Sequence, residues 1–358
     1  MKQRVEQLRE RLQHHNLNAL LVSSLTNIRY LFGFSGSNAI ALVASDLSSF
    51  ITDRRYTLQA SQQVHGAEII IAKKDLYAEL KKIVSPEAGY KIGVEAMHLS
   101  LKDFTQLKKT LDSVKLVASE RLVEQIAAVK DAQEIENIRQ AAAICTAVFN
   151  EILPLIKTGI SELDISAEIS YRAARRGSER DPFEPIVASG VRSALPHGMA
   201  SRKKIAAGDL VILDFGATMN GYAADFTRTV IVGEASPEQQ KMADAVAAAL
   251  GAAEHAAKPG VVGKELDGVA RSVLAEKGLG EYFQHSLGHG LGLNVHELPR
   301  IGERSQDVLA ARNVVALEPG VYLPEVGGVR IEDDFVVGSD GAENLTPVSR
   351  EVVCVGQA

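Results

Sequence analysis

The hydrophobic pattern of the first third of the chain alternates between short apolar runs and amphipathic segments. The apolar runs predict buried strands at 18–24, 39–45, 49–53, 68–72 and 91–96. The segments 54–64 and 101–111 fit helices, while Gly33, Gly36 and Ser37 mark a connection between the first two strands. Strands that alternate with helices are typical of an α/β domain with a doubly wound or similarly layered sheet. We place this domain over residues 1–122.

The pattern changes in the rest of the chain, residues 123–358. Residues 121–140 are charged and lack Pro and Gly, which predicts a linking helix that runs into an Ala-rich helix ending near Leu153. Further helices are predicted at 161–177, 236–257 and 263–277, and two stretches, 209–233 and 313–338, have the layout of hairpins. Helices combined with hairpins predict an α+β domain with an antiparallel sheet.

Composition and charge narrow the function classes. The 39 Lys and Arg residues are outnumbered by 45 Asp and Glu, so the net charge of −6 disfavours a general nucleic-acid binder. No window holds 18 consecutive apolar residues, so we expect no membrane span. The N-terminal segment reads as an amphipathic helix rather than a signal peptide, and Cys145 and Cys354 read as buried free thiols. Together these features favour a cytoplasmic location.

Four acidic residues interrupt the apolar strands of the two hairpin stretches. Asp is disfavoured in strands, and a buried carboxylate is costly unless it is paired or bound to a metal. One such residue is ordinarily part of a salt bridge or an edge strand. Four of them in two similar stretches favour a shared cation, and they are Asp214, Asp225, Glu318 and Glu332.

The register of the first hairpin follows from its turn. Asn220-Gly221 is a strong signal for a type I′ turn, which pairs Gly216 with Asp225. Asp214 shares a face with Gly216 because side chains alternate with a period of two. Asp214 and Asp225 are therefore predicted to be diagonal neighbours, about 7–8 Å apart at the backbone.

The second hairpin gives no such simple answer. A two-residue turn at Gly327-Gly328 would place Glu318 and Glu332 on opposite faces. A longer loop through Pro324, or a bulge, is required if both residues are ligands.

His289 is the fifth candidate ligand, in a glycine-rich segment at 285–297. One imidazole with four carboxylates is a hard, oxygen-rich ligand set. Its charge suits two divalent ions roughly 3.5–4 Å apart. Mn²⁺ fits best, with Co²⁺, Fe²⁺ or Zn²⁺ as alternatives, and a buried ionic network without metal remains open.

Other histidines and an arginine accompany the cluster. His197, His285 and His296 could orient a substrate, stabilise a tetrahedral intermediate and pass a proton to a leaving amine, although each alone is consistent with an ordinary surface or core histidine. Arg330, two residues before Glu332, is a candidate for holding a carboxylate in position, or for a plain salt bridge.

Four segments carry a resemblance to a known family. ASGVRSALPHG, DFGATMNGYAADFTRT, HSLGHGLGLNVHE and EPGVYLPEVGGVRIEDD resemble the Xaa-Pro aminopeptidase and prolidase branch of the metallopeptidases with the creatinase-like pita-bread fold. NIRYLFGFSGS and TDRRYTLQA resemble that branch's N-terminal domain. The resemblance implies that Asp225 and Glu332 bridge the two ions and that Glu318 also acts as the acid/base group. It places His197 and His296 on the substrate side, with His285 and Arg330 in support; the other implied ligands are Asp214 and His289.

The resemblance implies an exopeptidase that hydrolyses the bond before proline. Such peptides need a dedicated enzyme because the prolyl nitrogen carries no N–H and its φ is fixed. We favour an Xaa-Pro aminopeptidase, with a strict Xaa-Pro dipeptidase (prolidase) as the alternative. A creatinase-like hydrolase of a small amidine, or a non-catalytic binding protein, is less favoured because all the ligand acids are present.

A homodimer is the expected assembly. The resemblance implies it, and the loop Phe32–Gly36 places two aromatic residues among small ones, a composition found at contact surfaces. The alternative is that both aromatic rings lie beneath their own domain.

Overall fold

The computed structural model describes residues 1–84 and 89–356 and divides the chain into two compact units, Met1–Ala127 and Ala128–Ala358. The division between the two units falls a few residues after the predicted boundary at 122/123. Among the described residues, no helix is long and apolar enough to cross a membrane.

The first unit is an α/β layer structure built on one mixed sheet, as its pattern predicts. The sheet order is β4-β3-β2-β1-β5-β6, in which β1–β2 and β2–β3 pair antiparallel and the other neighbours pair parallel. The two antiparallel pairs distinguish it from a fully parallel doubly wound sheet. Its strands are β1 (Ala19–Val22), β2 (Ala39–Ala44), β3 (Ser48–Asp53), β4 (Glu68–Ala72), β5 (Lys91–Glu95) and β6 (Lys115–Ser119). Its helices are α1 (Lys2–His14), α2 (Leu25–Phe32), α3 (Thr57–Gln63), α4 (Leu76–Ile83), α5 (Leu101–Thr110) and α6 (Glu124–Ala127).

The five strands predicted in this unit are confirmed, and Gly33, Gly36 and Ser37 lie in the connection after β1 as predicted, but the helix in this connection was not predicted. This helix is α2, whose first turn is capped by the Ser24 side chain accepting from the Asn27 N–H. The buried face of α2 includes the polar Asn27, whose side-chain amide donates to Glu95 Oε1 at 2.6 Å, so this face is not uniformly apolar in the sequence. The strand β6 and the helix α4 were also not predicted.

The aromatic residues of the Phe32–Gly36 loop do not form a contact surface. Phe32 and Phe34 are both fully buried in their own unit. The Phe34 ring packs edge-on against Phe50 and Tyr56, at centroid distances of 4.8 and 5.5 Å. This hint of a dimer is therefore wrong, because the rings fill the core of the first unit.

The second unit is an α+β structure. Its helices are α7 (Ala132–Ile152), α8 (Glu162–Arg175), α9 (Pro237–Ala256) and α10 (Gly263–Glu276). Its strands are β7 (Ile186–Ser189), β8 (Leu210–Met219), β9 (Tyr222–Val232), β10 (Gly288–Gly290), β11 (Glu297–Ile301), β12 (Val314–Leu317), β13 (Gly320–Leu323), β14 (Gly327–Arg330), β15 (Asp333–Val337), β16 (Ala342–Asn344) and β17 (Val353–Val355). The helices α9 and α10 bury their apolar faces in a core shared with β12, β14 and β15.

Three sheets carry the candidate ligands. Their orders are β17-β9-β8-β7, β11-β10-β12-β15-β16 and β13-β14, and all pairs are antiparallel except β17–β9. An isolated bridge between Thr227 and Glu332 links β9, in the sheet β17-β9-β8-β7, to the segment before β15. The two predicted hairpin stretches therefore meet at their acidic residues.

The single linking helix predicted over 121–140 is wrong. The structure has α6 and α7 instead, and a capping box starts the second helix: the Asp131 side chain accepts from the Glu134 N–H, and the Glu134 carboxylate accepts from the Asp131 N–H. The Asp131 side chain satisfies a free N–H group in the first turn of α7 and so fixes where this helix begins.

The two cysteines have different surroundings. Cys145 on α7 is buried, as predicted, whereas Cys354 on β17 is exposed. The strand β17 lies at the edge of its sheet, so alternate side chains face solvent.

Candidate metal centre

The predicted ligands come together from two hairpins and one short strand. Asp225, His289 and Glu332 each offer a ligand atom, and these atoms lie within 4.8 Å of one another. The His289 Nε2 lies 3.8 Å from Asp225 Oδ2 and 3.7 Å from Glu318 Oε1. The fifth residue, Asp214, faces the same cluster through its position on β8, opposite β9.

The first hairpin has the predicted register. Asn220 and Gly221 have φ values of 50° and 85°, as a type I′ turn requires, and Gly216 pairs with Asp225. Asp214 and Asp225 are therefore diagonal neighbours on one face. Gly216 lies between them beneath Pro182, since a Cβ at Gly216 would come within 2.4 Å of the Pro182 Cγ.

The second hairpin uses the longer loop that convergence requires. Leu323 pairs with Gly327, so residues 324–326 form the turn. Two ladders, β12–β15 and β13–β14, follow one another along this stretch with a short break between them. Leu317 pairs with Asp333 in the first and Gly320 with Arg330 in the second, so the register is the same on both sides of the break. Glu318 and Glu332 occupy this break as opposed residues, so their side chains share a face.

The carboxylates of the cluster lack enough partners of their own. Asp225 Oδ1 and Glu332 Oε1 are buried and accept no hydrogen bond from any described residue. Burial, followed by the charge of Glu332, raises the pKa of Asp225 well above its usual range and also raises that of Glu318. Burial and then the charge of Asp214 raise the pKa of Glu332 to about 8. Crowded, buried carboxylates with free oxygens fit divalent cations, which would neutralise them.

The imidazole of His289 is held in its ligating form. Burial, followed by the neighbouring His296, lowers the pKa of His289 to about 4, so the ring is neutral at pH 7. Its Nδ1 lies 3.2 Å from the Gly290 carbonyl oxygen, and an Nδ1–H that donates there leaves Nε2 facing the carboxylates.

Arg330 connects Asp214 to Tyr322 and to the loop at Pro196. Its Nη2 donates to Asp214 Oδ2 at 2.5 Å, while its Nη1 donates to the Tyr322 hydroxyl at 2.7 Å and to the Pro196 carbonyl at 3.0 Å. The His285 Nε2 lies 2.8 Å from the same hydroxyl. Burial, followed by the charge of Arg330, lowers the pKa of His285 to about 4. Tyr322 was not predicted. The sequence feature that could have pointed to it is its position close to Glu318, on the strand β13.

His197 and His296 differ from the ligands in being exposed. The His296 ring centroid lies 4.3 Å from that of His289. Burial lowers the pKa of His285 and of His296, and His197 contributes to lowering both.

Residues behind the ligands fix their orientation. The Thr227 hydroxyl donates to Glu332 Oε2 at 2.6 Å, and the Asp225 N–H donates to Asp334 Oδ2 at 2.9 Å. Arg228 donates from Nη1 to the Glu332 carbonyl at 2.7 Å and from Nη2 to Asp333 Oδ1 at 2.6 Å. These polar residues adjoin Asp225 and Glu332 in sequence, which was the available signal for them.

A buried lysine supports the segment that carries His296. The Lys130 side chain is 1% exposed, and its Nζ lies 3.1 Å from Glu297 Oε2. The other oxygen of Glu297 accepts from the Asn294 N–H at 3.0 Å. Glu297 therefore ties the turn before His296 to the beginning of the second unit. No sequence signal pointed to Lys130.

Comparison with known proteins covers both units. The sequence model of metallopeptidase family M24 matches residues 136–339, and that of the creatinase/prolidase N-terminal domain matches residues 4–129. The chain is 41% identical over 352 residues to the uncharacterized peptidase YqhT of Bacillus subtilis, which covers 98% of this chain and 99% of that protein.

Solved structures resemble the whole chain as well. A structure described as Xaa-Pro dipeptidase from Bacillus anthracis superposes with a TM-score of 0.96 at 38% identity and covers 99% of each chain. One described as X-Pro aminopeptidase from Thermotoga maritima has a TM-score of 0.88 at 40% identity, covering 96% of this chain and 100% of that one. The predicted fold, an α/β N-terminal domain followed by a pita-bread catalytic domain, is thereby confirmed.

Proposed function

The chain belongs to metallopeptidase family M24, and from this membership and the geometry of its metal centre we propose that it is an Xaa-Pro aminopeptidase. It is a hydrolase of peptides, and the proposal concerns its substrate. The observation that carries it is the cluster of buried carboxylates with two free oxygens, bordered by exposed histidines.

We assign the ligand set of two divalent ions, preferably Mn²⁺, to Asp214, Asp225, His289, Glu318 and Glu332. Asp225 and Glu332 would be shared by both ions, as the family resemblance implies, and each has one buried carboxylate oxygen free of hydrogen bonds for that role. Two ions held there would lower the pKa of a water molecule and polarise the scissile carbonyl. Co²⁺, Fe²⁺ and Zn²⁺ are compatible with the same ligands.

Glu318 is our candidate for the acid/base group. Its side chain is 22% exposed, against 7% for Asp225 and 11% for Asp214, so it is the ligand most accessible to a substrate. Burial raises the pKa of its carboxyl group, which favours proton uptake. A proton held at its carboxylate can be delivered to the prolyl nitrogen, which becomes a secondary amine when the bond breaks.

His197 and His296 are assigned to the substrate, and His285 and Arg330 to its support. His197 and His296 are exposed, and the His296 ring lies beside that of His289, so both side chains can donate hydrogen bonds to the peptide. Arg330, Tyr322 and His285 form a connected hydrogen-bonded group that orients Asp214 and the loop at Pro196. These five residues complete the site.

A strict Xaa-Pro dipeptidase is the second candidate. The relative with a TM-score of 0.96 carries that description, whereas the one described as an aminopeptidase is slightly more identical in sequence. The two activities differ in whether residues after proline are accepted. Hydrolysis of Leu-Pro-Ala compared with Leu-Pro separates them.

A homodimer in the cytoplasm completes the proposal. The loop that carries His197 exposes three apolar side chains, Val191, Leu195 and Met199, which favours association there. The absence of a disulfide, with Cys145 and Cys354 both free, suits a reducing compartment. Light scattering of the full chain tests the dimer.

Metal removal tests the proposed function as a whole. Protein treated with a chelator and dialysed should be inactive towards Leu-Pro-Ala and Leu-Pro, and Mn²⁺ or Co²⁺ should restore activity. Leu-Ala-Ala, which lacks proline, is the matched control substrate and should be cleaved far more slowly. Full activity in metal-free protein, or equal cleavage of Leu-Ala-Ala, would contradict the proposal.

A further inference from the structure

A pocket of about 320 Å³ opens beside His296. Arg180 and Pro182 form one wall, and the segment 293–296 forms another. Thr218 and Ala223 of the first hairpin line it as well. None of the polar side chains of this pocket has a role in the metal centre apart from His296.

The pocket adjoins the metal centre through the face of one hairpin. Thr218 pairs with Ala223, just as Gly216 pairs with Asp225. Side chains two residues apart share a face, so Thr218 and Ala223 continue the face that carries Asp214 and Asp225. A peptide bound at the carboxylates can therefore extend along the hairpin into the pocket.

Thr218, one of the lining residues, carries an unsatisfied hydroxyl group. The side chain of Thr218 is buried, with 1% of the residue exposed, and its Oγ1 has no hydrogen-bond partner among the described residues. A buried hydroxyl without a partner is costly, and a ligand that bonds to it would remove this cost.

Arg180 supplies a positive charge at the same place. Its guanidinium forms no ion pair or side-chain hydrogen bond with the described part of the chain. The acidic residues beside it are engaged elsewhere: Glu179 accepts from the Gly221 N–H at 3.1 Å, and Asp181 accepts from the Ser170 hydroxyl at 2.6 Å. Arg180 is the only Arg, Lys, Asp or Glu among the described lining residues.

We propose that this pocket is a substrate subsite in which the Arg180 guanidinium and the Thr218 hydroxyl bind a carboxylate of the peptide. The inference rests on the proposed Xaa-Pro peptidase activity and adds a specificity to it. A guanidinium and a hydroxyl are both donors, and together they match a carboxylate. Two sources supply that group: an acidic side chain at the N-terminal residue, or the C-terminal carboxylate of a dipeptide.

The test compares two substrate pairs on the metal-loaded full chain. The pair Glu-Pro and Gln-Pro tests whether the pocket recognises a side-chain carboxylate. The pair Leu-Pro and Leu-Pro-amide tests whether it recognises the C-terminal carboxylate. Each kcat/KM ratio is measured for wild type, Arg180→Gln, Arg180→Lys, Thr218→Val and Arg175→Gln. Arg175 is an exposed arginine outside the pocket, so its variant has the same charge change and controls for long-range electrostatics.

We expect wild type to prefer the carboxylate in one pair by about five- to tenfold, and Arg180→Gln to abolish that preference. Arg180→Lys should retain part of it, and Thr218→Val should reduce it less than Arg180→Gln does. Arg175→Gln should keep the wild-type ratio. The pair that responds identifies the source of the carboxylate.

Failure of the subsite and failure of the proposed function give different results. If wild type and Arg180→Gln hydrolyse all four dipeptide substrates with the same ratios, the subsite is wrong and the peptidase assignment stands. Equal changes in Arg180→Gln and Arg175→Gln would also overturn the subsite. If wild type hydrolyses none of the four, the proposed function is wrong and the subsite falls with it.

Discussion

The two hairpins that carry the predicted ligands bring their carboxylates together in different ways. The first, β8–β9, is one continuous ladder closed by a two-residue turn, and its carboxylates are diagonal neighbours within the ladder. The second consists of two ladders, β12–β15 and β13–β14, and its carboxylates face each other at the break between them.

The difference shows in how exposed the carboxylates of the two hairpins are. Asp225, within the continuous ladder, has a side chain that is 7% exposed, and its N–H is bonded to Asp334. Glu318, at the break, has a side chain that is 22% exposed. The continuous hairpin is suited to fixed ligands, and the interrupted one to a ligand that also exchanges a proton.

Glu318→Gln should have the largest effect on catalysis. It removes a ligand charge and the proposed proton carrier, so kcat should fall by about 10²–10⁴-fold. Steady-state hydrolysis of Leu-Pro-Ala with Mn²⁺ in excess measures the loss. Glu325→Gln, in the exposed turn of the same hairpin, is the control and should be close to wild type. Turnover that survives in Glu318→Gln would remove the distinction between the two hairpins.

His289→Ala and His296→Ala should separate ligand from substrate residue. His289→Ala should lose bound metal, whereas His296→Ala should keep it and lose about 100-fold in kcat/KM. Metal content by elemental analysis, measured beside the kinetics, distinguishes the two variants. Metal loss in His296→Ala with retention in His289→Ala would reverse the assignment.

The metal-free protein should lose stability as the pH rises. Glu332 has a folded-state pKa of about 8, above its ordinary value of 4.5, so the folded chain favours its protonated form. The stability associated with this proton is present below about pH 4.5 and is lost as the pH rises through 8. Melting temperatures with chelator should fall across this range relative to the Mn²⁺-loaded protein, by several degrees. A gap that stays constant with pH would contradict the crowding of the carboxylates.

Gly221→Ala should have the smallest of these effects. Gly221 has a φ of 85°, which costs a residue with a Cβ about 1–2 kcal/mol. Urea denaturation of the metal-free protein should show this loss, whereas Glu325→Ala in the turn of the second hairpin should change stability by less than about 0.5 kcal/mol. Equal losses in both variants would show that the two turns are equally constrained.

The sequence predicted most where local rules decide the structure. The Asn220-Gly221 turn determines its own register, so the positions of Asp214 and Asp225 followed from the sequence. The second hairpin needs the loop through Pro324, but its turn residues do not set the register, which depends on the partner strands. The roles of the five ligands, of Glu318 as acid/base group and of the histidines stay predictions.

The remaining differences have tertiary causes. The buried face of the helix Leu25–Phe32 includes Asn27, a polar residue whose partner Glu95 is distant in the sequence. The break before Ala132 depends on the Asp131–Glu134 capping box, which a search for helical periodicity does not consider. Lys130 and Glu297 are far apart in the chain, and their ion pair forms only in the folded unit.

The ion pair between Lys130 and Glu297 has a consequence for how the catalytic unit can be isolated. The match to the family begins at residue 136 and α7 begins at Ala132, so either point invites truncation there. A protein cut at either place would retain all five predicted metal ligands but lack the ammonium group that neutralises Glu297, next to His296. Its purified form could be fully loaded with metal and still be a poor peptidase. The useful boundary for expression lies before Lys130, because this residue falls in the short segment between the two family matches, 4–129 and 136–339.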